Sequence, residues 1–128
     1  MGYQDRCEVA ALLGKTLTEV TKNERNDELR FTCDDGSRYV MLHNQDCCEG
    51  VDIDDICGDL ADLIGSPVTL AEESSSTERQ EWQEPREYED SFTWTFYRIG
   101  TAKGAVTIRW FGQSNGYYSE SVDFEEVK

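Results

Sequence analysis

The sequence predicts a single α+β domain over residues 1–128, an antiparallel sheet of six to eight strands with two short helices against it. Three observations lead to that class. Residues 28–43 alternate apolar and polar positions around an Asp-Asp-Gly turn, residues 3–13 and 54–65 space their apolar positions at a helical period, and residues 91–124 hold three aromatic-rich β runs parted by glycine-containing turns.

Taken in order, residues 3–13 place Cys7, Val9, Ala10, Leu12 and Leu13 close to helical spacing, with Gly14 as the stop. Residues 16–21 alternate imperfectly through Leu17 and Val20, and residues 28–33 alternate cleanly through Leu29, Phe31 and Cys33. After Asp34-Asp35-Gly36 the alternation resumes with Tyr39, Met41 and His43 on one face, which completes a three-stranded antiparallel meander. Asn44-Gln45-Asp46 reads as the next turn and residues 47–53 as a further strand, which sets His43 across a hairpin from Cys47 or Cys48. Residues 54–65 read as the second helix, with Ile56, Leu60, Leu63 and Ile64 on one face and aspartates at its positive end. Gly65 and Ser66-Pro67 end it. Val68, Leu70 and Glu72 begin a strand, and residues 72–90 then read as a long, mobile acidic loop. Residues 91–100, 104–112 and 116–124 form a second meander. No repeat and no domain boundary is visible.

A chain of 128 residues buries roughly 68% of its unfolded surface, enough for one core without a covalent staple. The first residues do not read as a secretory leader, and no apolar run is long enough for a membrane helix. Five cysteines, an odd number, argue against a complete disulfide framework and for a reducing compartment. Adjacent Cys47 and Cys48 make a poor pair with each other, since a trans peptide sets their Cα atoms about 3.8 Å apart.

Charge is the strongest compositional fact. Asp and Glu number 27 against 12 Lys and Arg, a formal charge of −15. Such a chain repels phosphate backbones and anionic lipid, so a basic protein partner is expected and direct nucleic-acid or membrane binding is not. The competing reading gives the acidity a role in solubility alone. In the 72–90 segment the partner-binding candidates are Glu72, Glu73, Glu78, Glu81, Trp82, Glu84, Glu87, Tyr88, Glu89 and Asp90, a string of carboxylates with two aromatic anchors. The competing reading there is a solvated linker. The C-terminal aromatics, Trp94, Phe96, Trp110 and Phe111 among them, suit a stacking platform for bases or a core with an aromatic patch for protein; the charge favours the second.

The only histidine, His43, stands in HNQDCC, close to two thiols. Imidazole and thiolate are the donors zinc prefers, four in a tetrahedron, so His43, Cys47, Cys48 and Cys57 are the candidate metal ligands, with Asp46 or Cys33 as substitutes. The spacing is not that of a conventional finger. The alternative takes the cysteines as small core residues and His43 as an ordinary strand-end histidine. The stretch DIDDICGD fails the calcium-loop pattern, because Ile56, Cys57 and Leu63 fall where an acid or amide, Gly and Glu are needed. No nucleophile elbow, phosphate loop or HExxH motif is present, and a thiol nucleophile built from His43 and Cys47 or Cys48 has no marked orienting group, so no enzyme is expected.

The segments HNQDCCEGVDIDDICGDLADLIG and TWTFYRIGTAKGAVTIRWFGQSNGYYSESVDF resemble a family of small bacteriophage-encoded proteins of unassigned function, over nearly the whole chain. Size, acidity and the Cys/His cluster together are similar to a zinc-containing phage anti-CRISPR protein of the type II-A class. That resemblance implies one structural zinc ion, with His43, Cys47 and Cys48 at the matching positions, and a monomer that binds the RNA-guided DNA nuclease of a bacterial host and keeps target DNA from loading. The expected location is the cytoplasm of the infected cell. The alternatives are a small metal- or thiol-dependent phage enzyme and an assembly or adaptor protein.

Overall fold

A computed structural model of the chain describes residues 4–44, 49–77, 91–114 and 119–127. The described residues form nine strands: β1 (Gln4–Arg6), β2 (Leu17–Lys22), β3 (Glu28–Cys33), β4 (Arg38–Leu42), β5 (Gly50–Cys57), β6 (Leu70–Ser76), β7 (Ser91–Thr101), β8 (Gly104–Ser114) and β9 (Asp123–Val127). They pair in two antiparallel sheets, a five-stranded one ordered β1-β9-β4-β3-β2 and a four-stranded one ordered β5-β8-β7-β6. One core cluster draws Leu29, Phe31, Tyr39, Met41 and Phe124 from the first sheet and Ile53, Tyr97, Ile99, Ile108 and Trp110 from the second, the packing of a β-sandwich. The α+β expectation is therefore overturned: the only helical pieces among the described residues are two 3-10 turns, Val9–Leu12 and Leu60–Leu63. No helix among the described residues is long and apolar enough to cross a membrane.

The first meander forms as its alternation dictates. Leu29, Phe31 and Cys33 face the core while Arg30 stays in solvent, and Gly36 supplies the positive φ that the Asp-Asp-Gly turn requires. Asp35 locks that turn by accepting from the backbone N–H of Ser37 (2.9 Å) and from Lys15 Nζ (2.7 Å). Both contacts hold its carboxyl well below the usual carboxylate range, the Lys15 ammonium being the larger cause.

The helix expected over residues 3–13 is a short strand followed by a single 3-10 turn, with Val9 and Leu12 buried. The helix expected over residues 54–65 fails for a more instructive reason. Val51 and Ile53 are buried at strand spacing against β8. A bulge then inserts one residue, so that Ile53 pairs with Trp110 and Ile56 with Ile108. Two strand residues on one face thereby acquire the i, i+3 spacing of a helix, and the turn at Leu60–Leu63 continues the illusion.

Strand partners also depart from expectation. β5 does not return beside β4 as a hairpin; it joins the other sheet at β8, and β4 pairs with β9 instead. β7 and β8 form the expected hairpin over eleven residues each. The third aromatic run does not extend it, because β9 crosses back and inserts between β1 and β4. Residues 72–76, expected in the acidic loop, are part of β6.

Candidate functional site

The chain passes between the sheets twice, after β4 on the way to β5 and before β9. A crossing backbone leaves the ladder, so its polar groups need other partners. The described residues that flank the two crossings, 43–44 with 49 and 119–122, lie at one end of the sandwich, and side chains supply partners there.

His43, just past β4, is the link between them. Its Nδ1 lies 2.7 Å from the carbonyl oxygen of Ser121 and its Nε2 lies 2.8 Å from Oε1 of Glu49. The imidazole and carboxylate side chains are 4% and 0% exposed. A carbonyl only accepts, so Nδ1 carries a proton, and a further proton sits between Nε2 and Glu49 to join two atoms that would otherwise both be acceptors. One ring pins the end of β4 to the start of β5, six residues on, and to the segment before β9, 78 residues on.

Three more buried acids flank this pair. Asp123 accepts from an Arg6 guanidinium nitrogen at 2.6 Å and from the backbone N–H and side-chain amide of Asn44 at 3.2 and 2.9 Å. The same amide donates to Glu125 at 2.9 Å. Glu120 accepts from Thr93 Oγ1 (2.8 Å) and Ser114 Oγ (2.5 Å). Its backbone approaches β8 so closely that a Cβ at Gly112 would stand 2.5 Å from the Glu120 carbonyl oxygen, which makes glycine a packing requirement at that position.

Beside this polar end a cleft of about 440 Å³ opens between β6, β1, the first 3-10 turn and the start of β9. Glu8, Glu73 and Asp123 bring carboxylates to its wall, Arg6 brings a guanidinium, and Val9, Ala71 and Val122 are apolar. Tyr97 lies behind the wall, fully buried and opposite Glu73 of β6. Burial, followed by hydrogen bonding to Glu73 and then the nearby charges of Glu73 and Asp123, pushes this phenol far above its ordinary pKa, so it stays protonated.

The expected metal ligands do not assemble among the described residues. Cys57 ends β5, at the opposite end of that strand from Glu49 and Gly50; seven residue steps of about 3.3 Å each separate it from the His43 end. Its thiol is exposed and turned to Asp55. Cys33, the substitute, is buried in the core, and burial pushes its thiol up, away from the reactive thiolate form. Asp46, Cys47 and Cys48 lie outside the described residues. Zinc needs a closed set of four ligands. His43 and Glu49 alone do not make one, and no group of three or more metal-binding side chains occurs among the described residues.

Of the expected partner-binding residues, Glu72 and Glu73 are described and exposed. They project to opposite faces of β6: Glu73 pairs with core-facing Tyr97 and Glu72 with exposed Arg98. Glu78, Glu81, Trp82, Glu84, Glu87, Tyr88, Glu89 and Asp90 lie outside the described residues. The aromatic patch is closed rather than open. On the outer face of the second sheet Trp94 packs on Phe111 with ring centroids 4.6 Å apart, Arg109 covers Trp94 at 5.4 Å, and both rings are buried. Sequence reasoning missed Glu49, Glu120 and Asp123, which carry no signal that separates them from the other acids.

With this geometry in view, comparison with known proteins adds one relationship. The family model of the domain of unknown function DUF7448 matches residues 10–124, most of the chain, and the chain belongs to that family. No curated protein and no solved structure matches it.

Proposed function

We propose that this member of the DUF7448 family is a non-enzymatic binding protein, a phage inhibitor that docks its acidic surface on a basic region of a host type II-A RNA-guided nuclease and keeps target DNA out. The carrying observation is where the acid lies. Asp52, Asp54 and Asp55 are exposed on β5 and Glu72 and Glu73 on β6, the two edge strands of one sheet, in a chain of formal charge −15. Charged edges resist pairing with further strands. They also direct a negative potential outward from both margins of the sheet, which speeds and orients encounter with a cationic surface.

The measurement is association of the purified protein with the nuclease–guide complex, by surface plasmon resonance at rising salt, beside a DNA-cleavage assay. Reversing Asp52, Asp55 and Glu72 to lysine together is expected to slow association by about tenfold at low salt and to weaken the salt dependence. Unchanged association would leave the acidity a solubility device. Absence of any binding to the nuclease would remove the named partner.

A structural zinc ion at His43 belongs to this proposal through the resemblance, although the described donors do not complete its ligand set. Elemental analysis of protein purified without a metal-affinity tag decides it. One equivalent of zinc, with a melting temperature lowered by chelator, would support it and would require one ring nitrogen to leave Ser121 or Glu49. Metal-free protein with an unchanged melt would leave His43 to its pair with Glu49.

A further inference from the structure

Each sheet of the sandwich ends in two edge strands, and an edge presents a row of unpaired N–H and C=O groups unless something blunts it. Three of the four edges among the described strands are blunted. β1 is only three residues long. β2 carries a bulge between Leu17 and Glu19, and its first residue is tied down, because the Leu17 carbonyl accepts from the Gly65 N–H at 3.0 Å. β5 carries the bulge that follows Ile53, and the Ile53 N–H donates to the Asn26 carbonyl in the loop between β2 and β3. β6 differs from all three. It runs for seven residues in unbroken register with β7, and residues 72–75 are exposed. The cleft of about 440 Å³ opens beside it, walled on the β6 side by Ala71 and Glu73.

We propose that β6 is a docking edge that takes one extended segment of a basic protein partner as an added antiparallel strand. In such an arrangement main-chain hydrogen bonds supply the affinity and the side chains opposite one another supply the selection. Glu72 and Glu73 are neighbours on the strand and project to opposite faces. Across an antiparallel pair opposite charges attract and like charges repel, so the two carboxylates that bar an acidic strand favour one with adjacent cations, one on each face. Ser74 and Ser75 follow, both exposed, and hydroxyl residues suit the positions across from them. A second copy of this chain fits poorly: its own β6, LAEESSS, offers no cation, and each copy brings a formal charge of −15. The inference deepens the basic-partner reading and rests on it for the identity of the protein that supplies the strand; the edge itself rests on the sheet geometry alone.

The probe is the peptide acetyl-Thr-Thr-Arg-Lys-Val-Thr-amide, which in antiparallel register sets Arg and Lys across from Glu73 and Glu72, with a Gln-Gln version as the neutral control. It is titrated into the isotope-labelled full chain and followed by NMR. Saturable shifts centred on the amides of residues 70–76, with slowed hydrogen exchange there, are expected, and at least tenfold weaker binding of the neutral peptide. Glu72→Gln with Glu73→Gln, both at exposed positions, is expected to weaken the cationic peptide about tenfold and to leave the melting temperature unchanged. N-methylation separates strand pairing from plain charge attraction. Successive N–H groups of an added strand point alternately toward β6 and away from it, so a methyl on the Arg nitrogen and one on the Lys nitrogen should differ, one weakening binding about tenfold and the other little. Absence of saturable shifts, shifts centred on the β5 aspartates, or equal effects of the two methyl groups would overturn the proposal, as would a free chain that sediments as a dimer with residues 70–76 protected. Peptide paired to β6 by a protein that does not bind the nuclease would support the docking edge and defeat the named partner. Nuclease binding that the double glutamine variant leaves intact, with no peptide on β6, would do the reverse.

Discussion

Trp110→Ala is expected to destabilise the fold by about 3–5 kcal/mol in urea unfolding, at the upper end for a single core truncation. Trp110 is fully buried on the central strand β8, paired with Ile53 on one side and Thr95 on the other. Its indole reaches across the sandwich, where Nε1–H donates to the Met41 sulfur on β4 at 3.2 Å. Thioether sulfur is a weak acceptor, so the hydrogen bond is the smaller part of the loss. The larger part is a void between two sheets that β-ladders hold apart, which limits how far the walls can collapse. Trp110→Phe restores most of the apolar contact and is expected to cost about half as much. As a control, Leu13→Ala at a position 48% exposed should change stability by less than about 0.5 kcal/mol. A cost below about 1 kcal/mol for Trp110→Ala would mean that the sheets do not share the core described.

His43→Ala is expected to cost about 3–5 kcal/mol, because it leaves Glu49 buried without its imidazole and the Ser121 carbonyl without its donor. Glu49→Gln should cost less, since a side-chain amide still reaches the ring with a donor or an acceptor. The decisive comparison is the double variant. If the pair acts as a unit, His43→Ala with Glu49→Gln will be milder than the sum of the two changes, by about 1–3 kcal/mol. Additive effects would make His43 a packing residue whose polar contacts do not matter.

Much of the first sheet was legible because its signals are local. The alternation of Leu29, Phe31 and Cys33 and the Asp-Asp-Gly turn lie within one stretch, and the structure follows them. Where the reading failed, the cause is a geometry that one-dimensional spacing does not carry. The β5 bulge gave Ile53 and Ile56 a helical interval, so the strand read as a helix. Strand order was illegible too: the run ending at Phe124 has β character, but nothing local tells that it leaves β8 and pairs with β4. The candidate site suffered most. His43 stood out through its neighbours Cys47 and Cys48 and through ligand chemistry, whereas the partners the structure gives it are Glu49 and a carbonyl 78 residues away. Tyr97 carried no signal that set it apart from the other aromatics of its run, since spacing does not tell how deeply a phenol is buried.

The insertion of β9 between β1 and β4 has a consequence for the order of assembly on the ribosome. Among the described strands β9 is made last, yet it is the one neighbour of β1 there, and β4 keeps an unpaired edge until it arrives. Until residues 123–127 leave the exit tunnel, the nascent chain can hold the three-stranded meander β2–β4 and all four strands of the second sheet, with β1 and the β4 edge still waiting for their partner. Closing the first sheet then joins segments more than 80 residues apart, from Met41 to Phe124, late and at a high loop-closure cost. The open edge of β4 is the place where unfinished copies of this protein would find one another first.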